Sequence, residues 1–169
     1  MHVELRLGLD FITLSAAYCR WREEGLFEKV FPRCPRWTLQ EFLDWNYRPT
    51  VEPVGCYVGD ELRGVGWICQ ARKVEGRIAA EVGAAFFHGT PISVSRQSLR
   101  LLVRHAFVDR GFNEIYGVSD SRNRGGHALT RAVGMQKVDA LPWEDEAPEG
   151  MDVYALDRED WAEKERRVA

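Results

Sequence analysis

Residues Ile78–Val118 read IAAEVGAAFFHGTPISVSRQSLRLLVRHAFVDRGFNEIYGV. The opening run, Ile78 to Phe87, is almost continuously apolar, with Glu81 its one charged residue. Such a run fits a central strand covered on both faces. From about Ser95 to Arg110 the period changes: Leu99, Leu102, Val103, Ala106 and Phe107 fall on one stripe of a helix. Gly111 ends that helix, and Ile115 to Val118 forms a short second strand. A strand, a crossover helix and a strand in one sheet make a parallel pair.

The flanking sequence builds outward from this unit. Val3 to Leu9 alternates apolar and polar residues, the period of a half-buried strand. Asp10 is placed to cap a helix carrying Phe11, Leu14, Ala17, Tyr18 and Trp21, stopped at Gly25. Thr38 and Glu41 make a capping box for a second helix. Pro49 and Pro53 mark a loop, after which Val54–Val58 and Gly64–Ala71 form a hairpin turned at Gly59-Asp60. A turn at Glu75-Gly76 leads into the central strand. Downstream, a helix from Asn123 to Val133 ends at Gly134, strands follow at Gln136–Leu141 and Met151–Leu156, and Asp157–Arg167 closes the chain as a charged helix. The fold class is α+β: a central mixed sheet of about seven strands with helices on both faces, in a single domain over 1–169.

The 169 residues are 45% hydrophobic and 29% charged, the balance of a globular domain. No stretch approaches the ~20 apolar residues of a membrane span, and the start lacks the order of a signal peptide. The expectation is a cytoplasmic protein, monomer or homodimer, with neither membrane nor nucleic acid as a partner. Cys19, Cys34, Cys56 and Cys69 include no C-x-x-C pair, so no metal is expected and the cysteines read as core or half-buried residues. Net charge is −3, but residues 88–138 carry +5 and the remainder −8. A basic third of this kind fits a face turned toward an anionic ligand.

The element order, with Asn123, Leu129 and the Gly134-Met135 pair at their spacings, resembles the GNAT superfamily of acetyl-coenzyme A-dependent N-acyltransferases, nearest to the subgroup acetylating protein N-termini. The ending Tyr154–Trp161 looks like the same subgroup's last strand and tail. The resemblance implies a GNAT-like fold and acetyl-CoA as acyl donor, with a small-molecule amine or peptide N-terminus as acceptor. It implies that Asn123 bonds the pantetheine arm; an ordinary helix cap is the alternative. Family members carry Gln/Arg-x-x-Gly-x-Gly/Ala after this central strand, a loop holding the pyrophosphate on backbone N–H groups. Here Thr90-x-x-Ser93-x-Ser95 replaces the basic residue and both glycines. The implied cofactor-binding set is Phe86, Phe87, His88, Gly89, Ser93, Val94, Ser95, Arg96, Asn123 and His127, with Arg100 nearby.

Amine acetylation needs a base, and Glu81 is the candidate: a carboxylate in an apolar strand has its pKa raised by desolvation. The alternative is a wet Glu81 paired with Arg77 or Arg72. The family's usual acid, a Tyr seven residues beyond the Asn, is Thr130 here. His127 is the catalytic substitute, with His88 the other option. The aromatic segment Trp21, Phe27, Phe31, Trp37, Phe42, Trp45 and Tyr47 is mostly core, with a few members free to line an acceptor pocket, and acidic Glu144–Glu146 are placed to attract a cationic amine. Two other readings stay open: a catalytically inactive GNAT-fold module acting through a protein partner or another ligand, and an acyltransferase using a different donor.

Overall fold

A computed structural model describes residues 2–168 of the chain. Strand β1 (Val3–Leu7) leads to helices α1 (Phe11–Glu23), α2 (Phe27–Val30) and α3 (Leu39–Asn46). Three strands follow: β2 (Val51–Val58), β3 (Glu61–Val74) and β4 (Arg77–Phe86). Then come α4 (Ile92–Arg104), extended by a π-helical turn over His105–Asp109, β5 (Glu114–Asp120), α5 (Arg124–Ala132), β6 (Gln136–Val138), β7 (Met151–Asp157) and α6 (Arg158–Val168). The strands form one sheet in the order β1-β2-β3-β4-β5-β7-β6. All pairs are antiparallel except β4 with β5.

Local chemistry sets the helix ends as the sequence indicates. The Asp10 carboxylate accepts from Thr13 N–H, and Gly25 exits α1 at φ +64. Thr38 and Glu41 make both halves of the capping box. Several boundaries differ from expectation, β3 running longer at both ends and β5 reaching Asp120. Pro53 lies inside β2, not in a loop; β1 pairing stops at Val54, so no strand on that side needs the missing N–H. Helix α4 starts one turn before Ser95, at Ile92, directly after Pro91. The segment after α1 holds a short helix, α2, that no cap residue signalled. Strand β6 stops at Val138, short of Leu141.

Two cores flank the sheet. On one face Leu14, Trp21, Phe27 and Phe42 of α1–α3 pack against Val65, Trp67, Ala85 and Phe87. On the other, Leu102, Val103, Ala106 and Phe107 pack against Ile68, Ala80, Val82 and Ile115. The apolar stripe read from the sequence is this second interface, although Leu99 is only half-buried. Cys56 and Cys69 are buried and Cys34 is half-buried, but Cys19 is exposed on α1.

At Gly64, β3 and β4 approach so closely that a Cβ would lie 2.4 Å from the Ala85 carbonyl oxygen, a backbone atom that cannot swing aside. At Gly83 a Cβ would meet nothing within 4 Å. Overpacking typically costs about 1–3 kcal/mol. Thermal denaturation should therefore place Gly64→Ala roughly 2–12 °C below the wild type, while Gly83→Ala unfolds with it.

Candidate active site

Strands β4 and β5 pair only over Ala79–Glu81 with Glu114–Tyr116. Beyond that point β4 stays paired with β3, and β5 with β7, but the two strands part from each other. A cavity of about 600 Å³ occupies the opening. It is lined from one face of the sheet by Phe31, Trp37, Trp45 and Trp67, and from the other by Leu99, Val103, Leu129 and Thr130. One cavity thus passes through the sheet from the α1–α3 side to the α4–α5 side.

Glu81 stands at the fork, the last β4 residue paired with β5. Its side chain keeps only 18% of its exposure, and burial pushes its carboxyl above the ordinary range; Arg33 opposes this and Glu144 adds to it. The partners differ from those the sequence offered. Arg77 is taken by Asp157, and Arg72 reaches Gln70 while lying over the Trp143 ring. Glu81 instead accepts from the Gln70 side-chain amide at 3.1 Å and faces Arg33 at 3.8 Å.

Gln70 could not have been found from spacing. It sits at a bulge in β3, where the register slips between Cys69 and Arg72, and its φ is +53. A non-glycine residue in the left-handed region is strained by about 1–3 kcal/mol and concentrates at functional sites. Cys69, opposite Glu81 in register, has its thiol pushed up to about 12, chiefly by burial, so it stays protonated. Among the described residues no group of three or more His, Cys, Asp and Glu is arranged to hold a metal.

The proposed cofactor residues divide. Phe86, Ser95 and Asn123 line the cavity with Glu81. Phe87 and Val94 are buried in the core. His88, Gly89, Ser93 and Arg96 are exposed on the loop and first turn of α4. Asn123 caps α5, its side-chain oxygen accepting from Gly126 N–H at 2.9 Å, which leaves its amide donor without a partner among the described residues. His127 is outside the cavity lining: one ring nitrogen meets the Tyr154 hydroxyl at 2.7 Å and the other the Ser121 carbonyl at 3.1 Å. Thr130 does line the cavity, but its hydroxyl donates to the Gly126 carbonyl. Glu144, Asp145 and Glu146 are exposed and line no part of the cavity.

At the start of α4, Pro91 offers no side-chain cap. Its carbonyl accepts from Val94 and Ser95, while the N–H groups of Ile92 and Ser93 have no acceptor among the described residues. Unpaired first-turn donors with the helix dipole behind them form an anion site.

No protein-family model matches the chain, and no curated protein is similar to it in sequence. Solved structures are similar over nearly their whole length. Aminoglycoside acetyltransferase AAC(6')-Ib, in complex with coenzyme A, superposes with a TM-score of 0.78 at 15% identity, covering 97% of this chain and 99% of that one. A spermidine N-acetyltransferase from Vibrio cholerae, in complex with CoA and spermine, gives 0.73 at 13%, covering 95% and 98%. The ribosomal-protein-S5-alanine acetyltransferase from Vibrio fischeri gives 0.69 at 16%, covering 95% and 96%. The chain has the fold of the GNAT acetyltransferases.

The raised carboxyl of Glu81 gives a signed stability prediction. A group whose folded pKa is raised stabilises the fold below its unfolded pKa and loses that contribution as pH rises through the folded value. Glu81→Gln should therefore raise the melting temperature at pH 8, and the gain should shrink toward zero as pH falls below about 4, near the ordinary carboxylate value. Melting curves across pH check it; a gain independent of pH would show that Glu81 is not desolvated in its ionised form.

Proposed function

We propose that the protein is an N-acyltransferase moving an acetyl group from acetyl-CoA to a primary amine. The observation that carries this reading is the parting of β4 and β5 after Glu81, which opens one cavity to both faces of the sheet. A thioester entering from the α4–α5 side and an amine entering from the aromatic side would meet at the fork, beside the buried Glu81 carboxylate.

The parted edges support the donor's place. Backbone groups facing the gap have no strand partner, and buried backbone groups require one. The pantetheine arm carries amides that can pair along such an edge, as an added strand does. The free Asn123 amide, the unpaired N–H groups of Ile92 and Ser93, and exposed Arg96 and Arg100 supply the remaining contacts to an anionic donor.

In the reaction, Glu81 takes one proton from the acceptor's ammonium, giving a neutral amine and a protonated carboxyl. The amine lone pair attacks the thioester carbonyl, forming the C–N bond. Collapse of the tetrahedral intermediate breaks the C–S bond and expels the CoA thiolate. The second nitrogen proton is lost after attack and protonates the thiolate. Thr130 is too weak an acid to assist, and His127 has both nitrogens engaged, so this step relies on the thiolate being a good leaving group.

Acetyl-CoA at 100 times its dissociation constant should stabilise the fold by about 2.7 kcal/mol, a rise of roughly 5–10 °C in melting temperature, with no rise from ATP. With an accepted amine, Glu81→Gln should lower kcat/KM by about 10²–10⁴. The acidic limb of the wild-type profile should lie above the ordinary carboxylate pKa. No thermal shift at millimolar acetyl-CoA would overturn the reading in favour of a binding module that has lost the donor.

A further inference from the structure

The acceptor half of the cavity has a composition of its own. Phe31, Trp37, Trp45 and Trp67 form a continuous aromatic wall, with neighbouring ring centroids 5.2–6.0 Å apart: Phe31–Trp37 at 5.8, Trp37–Trp45 at 5.6, Trp45–Trp67 at 6.0 and Phe31–Trp67 at 5.2. The charges along it are mostly cationic: Lys29, Arg33 and Arg48 line this half, against the carboxylates of Glu81 and of Asp120, which Arg122 already holds. None of the three cations makes a hydrogen bond to another side chain among the described residues. A polyamine or aminoglycoside would bring further positive charges against them. An aromatic wall alone suits a cation, but three cations beside it do not.

Arg33 is the informative residue. Its guanidinium stands 3.8 Å from the Glu81 carboxylate, beyond hydrogen-bond distance, so neither group satisfies the other. The guanidinium has five donors, and none is used within the described residues. An ion pair with no hydrogen bond across it leaves both groups able to take a ligand that presents ammonium and carboxylate with one carbon between them.

We propose that the acceptor is a free α-amino acid with an aromatic side chain. Its ammonium faces Glu81, its carboxylate takes the Arg33 fork, and its ring packs against the wall formed by Phe31, Trp37, Trp45 and Trp67. The proposal rests on the acyl-transfer reading for the placement of the amine at Glu81. Acetylation removes the positive charge from nitrogen, so the product loses its pairing with Glu81 and is released.

Calorimetry on the full chain, with and without CoA, tests the proposal using L-phenylalanine, L-tryptophan, phenethylamine, 3-phenylpropionate and spermidine. At least one of the two amino acids should bind about tenfold or more tightly than phenethylamine or 3-phenylpropionate, the worth of one charge-assisted hydrogen bond. Arg33→Gln should collapse the preference over phenethylamine toward unity, and Arg33→Lys should restore part of it. The Arg33 side chain makes no hydrogen bond among the described residues, so unchanged melting curves will show that both variants fold. Equal binding of phenethylamine, tighter binding of spermidine, or a preference that survives Arg33→Gln each overturns the proposal. CoA thiol release in parallel separates the two readings: amino-acid binding without turnover sinks acyl transfer alone, whereas turnover of simple amines without the carboxylate preference sinks this proposal alone.

Discussion

The rest of this structure depends on two adjacent strands ceasing to pair. β5 holds β7 from Glu114 to Asp120, and β4 holds β3 from Arg77 to Phe86, yet the two touch each other over three residues only. Each strand is fixed on its outer edge and packed on its faces, β4 by Leu102 and Val103 of α4 and β5 by Met135 beneath Gly117 and by Leu141 against Tyr116. The opening between them is therefore part of a rigid frame. Unpaired backbone edges are costly when buried, so the parted strands at the centre of the fold leave backbone groups that need partners from outside the sheet.

The same fork concentrates the other expensive features of the molecule. Glu81 is desolvated beyond what its partners offset, and Gln70, which steadies it, adopts a left-handed backbone at a bulge. Gly83, two residues further along β4, leaves open space where a side chain would stand. Strain, desolvation and missing volume thus fall within a few residues of one another, on the strand that also supplies the gap. Distributed over a sheet they would be scattered costs, but together they describe one site.

The sequence carried the fold well because most of its signals were local. Asp10, Thr38 with Glu41, and Gly134 act within a few residues of themselves, and each does in the structure what its pattern implies, while Asn123 makes the helix cap that stood as the alternative to its cofactor role. Glu81 was legible for a similar reason: a lone carboxylate in an apolar strand stands out wherever the strand goes. Its partners were not. Arg77 and Arg72 looked close in sequence, but Asp157 and Trp143, each more than seventy residues away, claim them. Arg33 and Gln70 reach Glu81 through a loop and a bulge, and neither leaves a periodic trace. His127 misled because one helical turn from Asn123 locates it on α5 but says nothing of Tyr154, which binds it from β7.

The two halves of the cavity also differ in how much they depend on side chains. On the donor side the groups that matter are backbone edges and first-turn N–H groups. Replacing glycine by serine at positions 93 and 95 removes none of these. Neither serine sits at positive φ, so the special freedom of glycine is not called on there. Ser93 turns its side chain to solvent, and the buried Ser95 hydroxyl bonds back to the Pro91 carbonyl. The divergence of the loop therefore leaves its backbone donors in place. The aromatic side has no such backbone rule: it is made of four aromatic rings, three cations and the carboxylates of Glu81 and Asp120. Those side chains can change without disturbing the frame, and one fold is shared by aminoglycoside, spermidine and ribosomal-protein acetyltransferases at identities near 15% to this chain.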